Sequence, residues 1–134
     1  MNIRMVADTH AVLWYLYNDV RLSAAATAFM DTLDQAGDQI AISSITFAEI
    51  VYLIEKGRIP PTAFERIVTA LEQPNATLVE APFDRVIARV MQRIDRSQVP
   101  DFPDRIITAT ALHLGVPLIS RDRKIQASIV TTIW

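Results

Sequence analysis

The chain has 134 residues, just over half of them apolar and about a fifth charged, a composition of globular domains and long enough to bury a proper core. It contains no cysteine, which excludes disulfides, thiol nucleophiles and cysteine-based zinc sites. Net charge is −2, against a general nucleic-acid binder, and no apolar run approaches the roughly 20 residues of a bilayer span.

In chain order, residues 3–7 read as a short buried strand that stops at Asp8. The segment LSAAATAFMDTLDQAGD reads as a helix with Ser23 as N-cap and Gly37 just past its end. QIAIS is a second strand; ITFAEIVYLIEKG is a helix stopped by Gly57; PPTAFERIVTALEQP is another, bracketed by prolines. ATLVEA is a third strand. In FDRVIARVMQRI the residues Phe83, Val86, Ile87, Val90, Met91 and Ile94 repeat at helical spacing, with four arginines off the stripe. DRIITATALHLG is a helix ending at Gly115, VPLIS a fourth strand, and SIVTTIW a candidate fifth. The chain shows no repeat, linker or leader-like apolar stretch, so one domain over residues 1–134 and a cytoplasmic location are expected.

Short apolar strands alternating with helices predict a three-layer α/β fold: a mostly parallel sheet of four to five strands, flanked by helices. In such sheets the functional crevice lies beyond the carboxyl ends of the strands. Four acids fall there: Asp8 after the first strand, Glu49 in the helix after the second, Asp104 opening a later helix, and Asp122 just after the fourth strand. Each also has a purely structural role open to it. Asp8 suits an N-cap, Thr46 and Glu49 match a capping box, Asp104 complements a helix dipole, and Asp122 suits a turn.

Taken together the acids imply chemistry. Carboxylates about 5 Å apart repel by about 3 kcal/mol per pair at an effective dielectric of about 20. A cluster of four therefore calls for protonation or a cation. Hard oxygen donors without histidine or cysteine favour Mg²⁺ or Mn²⁺ over zinc. An acidic pocket carrying such an ion is suited to cleaving phosphodiesters. Charge is also divided along the chain: residues 1–84 carry five basic and eleven acidic residues, net −6, and residues 85–134 carry eight and four, net +4. That asymmetry fits an acidic site beside a basic track for a polyanion, and equally fits ordinary solvated faces.

The stretches VADTHAVLW, ISSITFAEI, PDFPDRIITATAL and LISRDRKI resemble, in order and spacing, the four signature blocks of PIN domains, and more closely those of VapC-type toxins. The resemblance covers nearly the whole chain. It implies a PIN-like fold and a Mg²⁺- or Mn²⁺-dependent ribonuclease, with Asp8, Glu49, Asp104 and Asp122 as metal-site acids and Thr9 and Ser120 as the small hydroxyl residues beside them. The family often has Asp-Pro directly before the third block; here Asp101-Phe102-Pro103 displaces the proline, leaving Asp101 as an auxiliary ligand or a loop residue. Arg105, Arg121, Arg123 and Lys124 flank the acids as candidate phosphate contacts. The resemblance further implies an RNA substrate, a small cognate antitoxin and a homodimer.

The main alternative is the same fold kept as a binding or regulatory module working through a protein partner. A phospho-acceptor receiver domain is more remote, because Asp8 ends its strand alone and ATLVEAP offers only Glu80. An aspartyl-phosphate hydrolase needs a second aspartate where His10 stands. His10 and His113, Trp14, Tyr15, Tyr17 and Trp134 are expected to be structural.

Overall fold

In the computed structural model, which describes residues 2–134, the chain forms five parallel strands and seven helices. The order is β1 (Ile3–Ala7), α1 (Thr9–Leu16), α2 (Ala24–Ala36), β2 (Gln39–Ser43), α3 (Ile45–Glu55), α4 (Ala63–Glu72), β3 (Leu78–Ala81), α5 (Arg85–Met91), α6 (Phe102–Leu114), β4 (Leu118–Ile119), α7 (Arg123–Gln126) and β5 (Thr132–Ile133). The sheet runs β3-β2-β1-β4-β5, so the expected parallel three-layer architecture is borne out with its fifth strand. Among the described residues no helix is long and apolar enough to cross a membrane.

Alternate strand residues feed separate cores on the two faces of the sheet, as the two-residue period of a strand requires. On one face Met5, Ala7, Ile40, Ile42 and Ile119 pack against α1 to α4 through Ala11, Val12, Met30, Ile50 and Ile67. On the other, Val6, Ala41 and Leu118 pack against α5 to α7 through Ile87, Met91, Ile106, Ile107 and Ile125. Many of these side chains are fully buried, each contributing about 1.5–3 kcal/mol of transfer free energy. Residues buried on both faces explain why Met5–Ala7 of β1 and Ile40–Ile42 of β2 read as unbroken apolar runs.

Local signals fix the helix ends. The Ser23 hydroxyl accepts from the Ala26 N–H at 3.0 Å, and α2 stops at Gly37, whose φ of +74° favours glycine. Two expectations are corrected. Asp84 caps α5 through the Val86 and Ile87 N–H groups and the helix ends at Met91, seven residues long; Phe83 and Ile94 lie outside it, and Phe83, like Val86, is exposed rather than part of a buried stripe. The Thr46–Glu49 capping box does not form: α3 is entered two residues earlier, with Ser44 at the cap position, and Glu49 turns elsewhere.

Candidate active site

β1 lies at the centre of the sheet and its carboxyl end delivers Asp8. The Asp8 N–H donates to the Ile119 carbonyl of β4 at 3.1 Å, and Asp8 Oδ1 accepts from Ala11 N–H at 2.8 Å, capping α1. Asp101 Oδ2 caps α6, accepting from the Asp104 N–H at 3.0 Å. Asp122 Oδ1 caps α7 through Lys124 and Ile125 N–H at 2.8 and 3.2 Å. Each cap uses one carboxylate oxygen. Three helix starts thus meet at one place, and the structural and chemical roles weighed for these acids are compatible.

The carboxyl ends of β1 and β4, helix α3 after β2, and the start of α6 bring all four predicted acids to one cavity of about 280 Å³. Asp8, Glu49, Asp104 and Asp122 line it together with Asp101, Thr9, His10, Trp14 and Arg121. Glu49 comes from α3 and is held by the Thr9 hydroxyl, which donates to Oε1 at 2.6 Å; the Thr9 and Thr46 hydroxyl oxygens are 3.1 Å apart. Ser120 is fully buried; its hydroxyl accepts from the Asp122 N–H at 3.1 Å and hydrogen-bonds the Asp8 carboxylate.

The electrostatics match a crowded acidic pocket. Burial raises the Asp8 carboxyl above its ordinary range, against the bonds from Ser120 and Ala11 that favour the anion. Glu49 is raised by burial, opposed by Thr9 and reinforced by the charges of Asp101 and Asp8. Asp104 is pushed up to about 8 by burial first, then by Asp101, Glu49, Asp122 and Asp8. Left to itself the cavity therefore holds a proton at neutral pH.

The donor set suits a hard divalent cation: carboxylates converge, and a positive ion would discharge the repulsion that lifts Asp104. Among the described residues no three acidic or histidine side chains are drawn together closely enough to enclose an ion unaided. An open ring of carboxylates is what Mg²⁺ accepts, since it keeps several waters and leaves room for substrate oxygens.

The flanking cations divide. Arg123 and Lys124 are exposed and edge a second depression of about 320 Å³ that shares Asp101, Asp104 and Asp122 with the first. Arg121 lines the acidic cavity itself. Arg105 does not belong with them: it is half-buried, and its Nη2 donates to the Met91 and Ile94 carbonyls at 3.1 and 3.3 Å, tying α6 to the end of α5. Conversely His10 and Trp14, expected to be structural, are cavity walls. The available signal was their position, two and six residues after Asp8 on the helix that Asp8 caps.

The PIN domain family model matches residues 5–128. The protein named Ribonuclease VapC22, from Mycobacterium tuberculosis (strain ATCC 25618 / H37Rv), is 25% identical over 123 residues, 92% of this chain and 90% of its own length. Among solved structures, a chain in the structure of VapBC2 from Rickettsia felis bound to a promoter DNA fragment superposes with a TM-score of 0.67 at 16% identity, covering all of both chains. A chain in a toxin–antitoxin complex from Klebsiella pneumoniae gives 0.67 at 24% identity, covering 97% of this chain and 96% of its own.

Proposed function

This chain belongs to the PIN-domain family, and on that premise we propose that it is a divalent-metal-dependent endoribonuclease, the toxin of a toxin–antitoxin pair. The observation carrying the proposal is the single cavity lined by Asp8, Glu49, Asp104 and Asp122, contributed by elements far apart in the chain. The similarity to a protein named as a ribonuclease supports the RNA substrate. The fold shared with chains of VapBC2 and of a toxin–antitoxin complex supports a small protein partner. A second copy of the chain and a cytoplasmic setting complete the reading.

Asp8, Asp104 and Asp122 are assigned to hold the principal ion, Mg²⁺ or Mn²⁺, directly or through water. Bound there, the ion supplies an acidified water and screens the scissile phosphate and leaving oxygen. Glu49 orients the attacking water, and Thr9 fixes Glu49 in the rotamer that faces the cavity. Ser120 does the same for Asp8. Asp101 adds negative charge and anchors the start of α6, which carries Asp104. Arg123 and Lys124, at the edge of the adjoining depression, are assigned to phosphates of the strand leaving the cavity.

The test is cleavage of RNA with Mg²⁺ or Mn²⁺, with and without EDTA, by the wild type and by Asp8→Asn and Asp104→Asn, followed by mapping of the cut ends. Cleavage should require the ion and be lost in both variants while their circular dichroism is unchanged. Either variant cutting at the wild-type rate refutes the assignment. Activity abolished by EDTA and restored by Mn²⁺ separates a nuclease from a binding module.

A further inference from the structure

Trp14 has no part in the chemistry just described, yet it is one of the most heavily engaged side chains near the site. It is 7% exposed. His10 stacks on it with centroids 5.5 Å apart, and Trp134 meets it edge-on at 5.9 Å. Two arginines also lie over the ring, Arg21 at 5.2 Å and Arg121 at 4.7 Å.

The two arginines differ in what neutralises them. Arg21 is paired with Asp19, Nη2 to Oδ2 at 2.8 Å and Nε to Oδ1 at 3.1 Å. Arg121 is exposed, and among the described residues it has no carboxylate partner within 4.0 Å, although Asp122 is its neighbour and five acids line the cavity it enters. A flexible cation beside so many carboxylates would ordinarily settle on one. The indole offers a competing hold through its quadrupole. A guanidinium lying over an indole spends its π face on the ring and keeps its in-plane N–H donors for an anion. Held this way, Arg121 also leaves the acids free for a cation.

We infer that Arg121 binds a phosphate of the RNA strand at the lip of the acidic cavity, and that Trp14 is a positioning residue that keeps Arg121 off the carboxylates and aimed at that phosphate. The inference rests on the ribonuclease reading and deepens it by naming a substrate anchor. The ligand chemistry is a phosphodiester: anionic, with two oxygens that accept the fork of one guanidinium.

A random-sequence single-stranded RNA library is cut by the wild type with Mg²⁺, the cut members are sequenced, and the best-cut oligonucleotide is used for kinetics. Arg121→Ala should raise KM about tenfold with a smaller change in kcat. It should also make the slope of log(kcat/KM) against log salt shallower by about 0.7, one phosphate contact fewer. Arg121→Lys keeps the charge and the slope but not the fork, so its KM falls between. Trp14→Phe keeps an aromatic face and stays near wild type. Trp14→Leu should reproduce the KM increase and add nothing on the Arg121→Ala background, because it acts through that residue.

Unchanged KM and salt slope in Arg121→Ala, with an active wild type, overturn the inference alone. So do Arg121→Ala and Trp14→Leu effects that multiply. If circular dichroism shows Trp14→Leu unfolded, the Trp14→Phe and Arg121 variants decide. A wild type that cuts no RNA with either Mg²⁺ or Mn²⁺ removes the nuclease reading and this inference with it.

Discussion

Replacing Asp104 by asparagine should inactivate the enzyme and stabilise the ion-free protein. The Asp104 carboxyl sits at about 8, against an ordinary 3.8. At pH 7 the folded chain therefore keeps a proton that the unfolded chain has released. Retaining it about three units above the ordinary pKa costs about 4 kcal/mol at 1.36 kcal/mol per unit. Asp104 is only half-buried and salt screens its acidic neighbours, so about 2 kcal/mol is the expected share. The sign follows from proton counting. A raised carboxyl binds more protons folded than unfolded, so stability falls as pH rises from about 4 to about 8 and is level outside that window. Asparagine is neutral throughout and escapes the penalty. Asp104→Asn should melt about 7 °C above wild type at pH 7 in EDTA, and the difference should vanish at about pH 4. Saturating Mg²⁺ should then raise the wild-type melting temperature more than the variant's, because the ion removes the same repulsion. Thermal unfolding followed by circular dichroism at the two pH values measures all of this. A variant no more stable than wild type at pH 7, or equally advantaged at pH 4, would show that burial and the neighbouring acids do not hold a proton on Asp104 in the folded chain.

Other outcomes follow from the same geometry. Thr9→Val removes the bond that aims Glu49 and the partner of the buried Thr46 hydroxyl; cleavage should fall about 10- to 100-fold, read in metal titrations of the rate, and thermal melts should register a loss of about 1 kcal/mol. Arg105→Met strands the Met91 and Ile94 carbonyls; urea unfolding should register a loss of about 2 kcal/mol while KM for RNA is unaltered. Asp101→Asn keeps an acceptor for the α6 cap but removes the charge that acts most strongly on Asp104; Mg²⁺-induced stabilisation should extend to lower pH, compared at about pH 6 and pH 8 in thermal melts.

Most of the fold was legible because its signals are local. Apolar runs marked β1 and β2, Ser23 and Gly37 bracketed α2, and Gly115 closed α6. The grouping of the four acids followed from a single inference, that the strands are parallel, since their carboxyl ends then share one edge. What stayed hidden depends on long-range contacts. Thr46 and Glu49 have the spacing of a cap, yet Glu49 is claimed by Thr9, forty residues away. The α5 stripe continues through a turn whose spacing mimics a helix, so periodicity overran the helix end. Arg105 and Arg121 read alike as basic residues beside acids. Only the packing separates one that ties two helices together from one that rests on Trp14.

The acids fall into two pairs with separate foundations. α1 and α3, behind Asp8 and Glu49, are rooted in the core that holds Ala11, Val12 and Ile50; α6 and α7, behind Asp104 and Asp122, stand on the one that holds Ile106, Ile107 and Ile125. The two foundations meet at Ser120, whose hydroxyl engages both the Asp8 carboxylate and the Asp122 N–H. The spacing between the pairs rests on hydrocarbon packing on both faces of the sheet, away from the acids themselves. For an ion held as proposed, a core substitution on either face would alter its fit without replacing any acid.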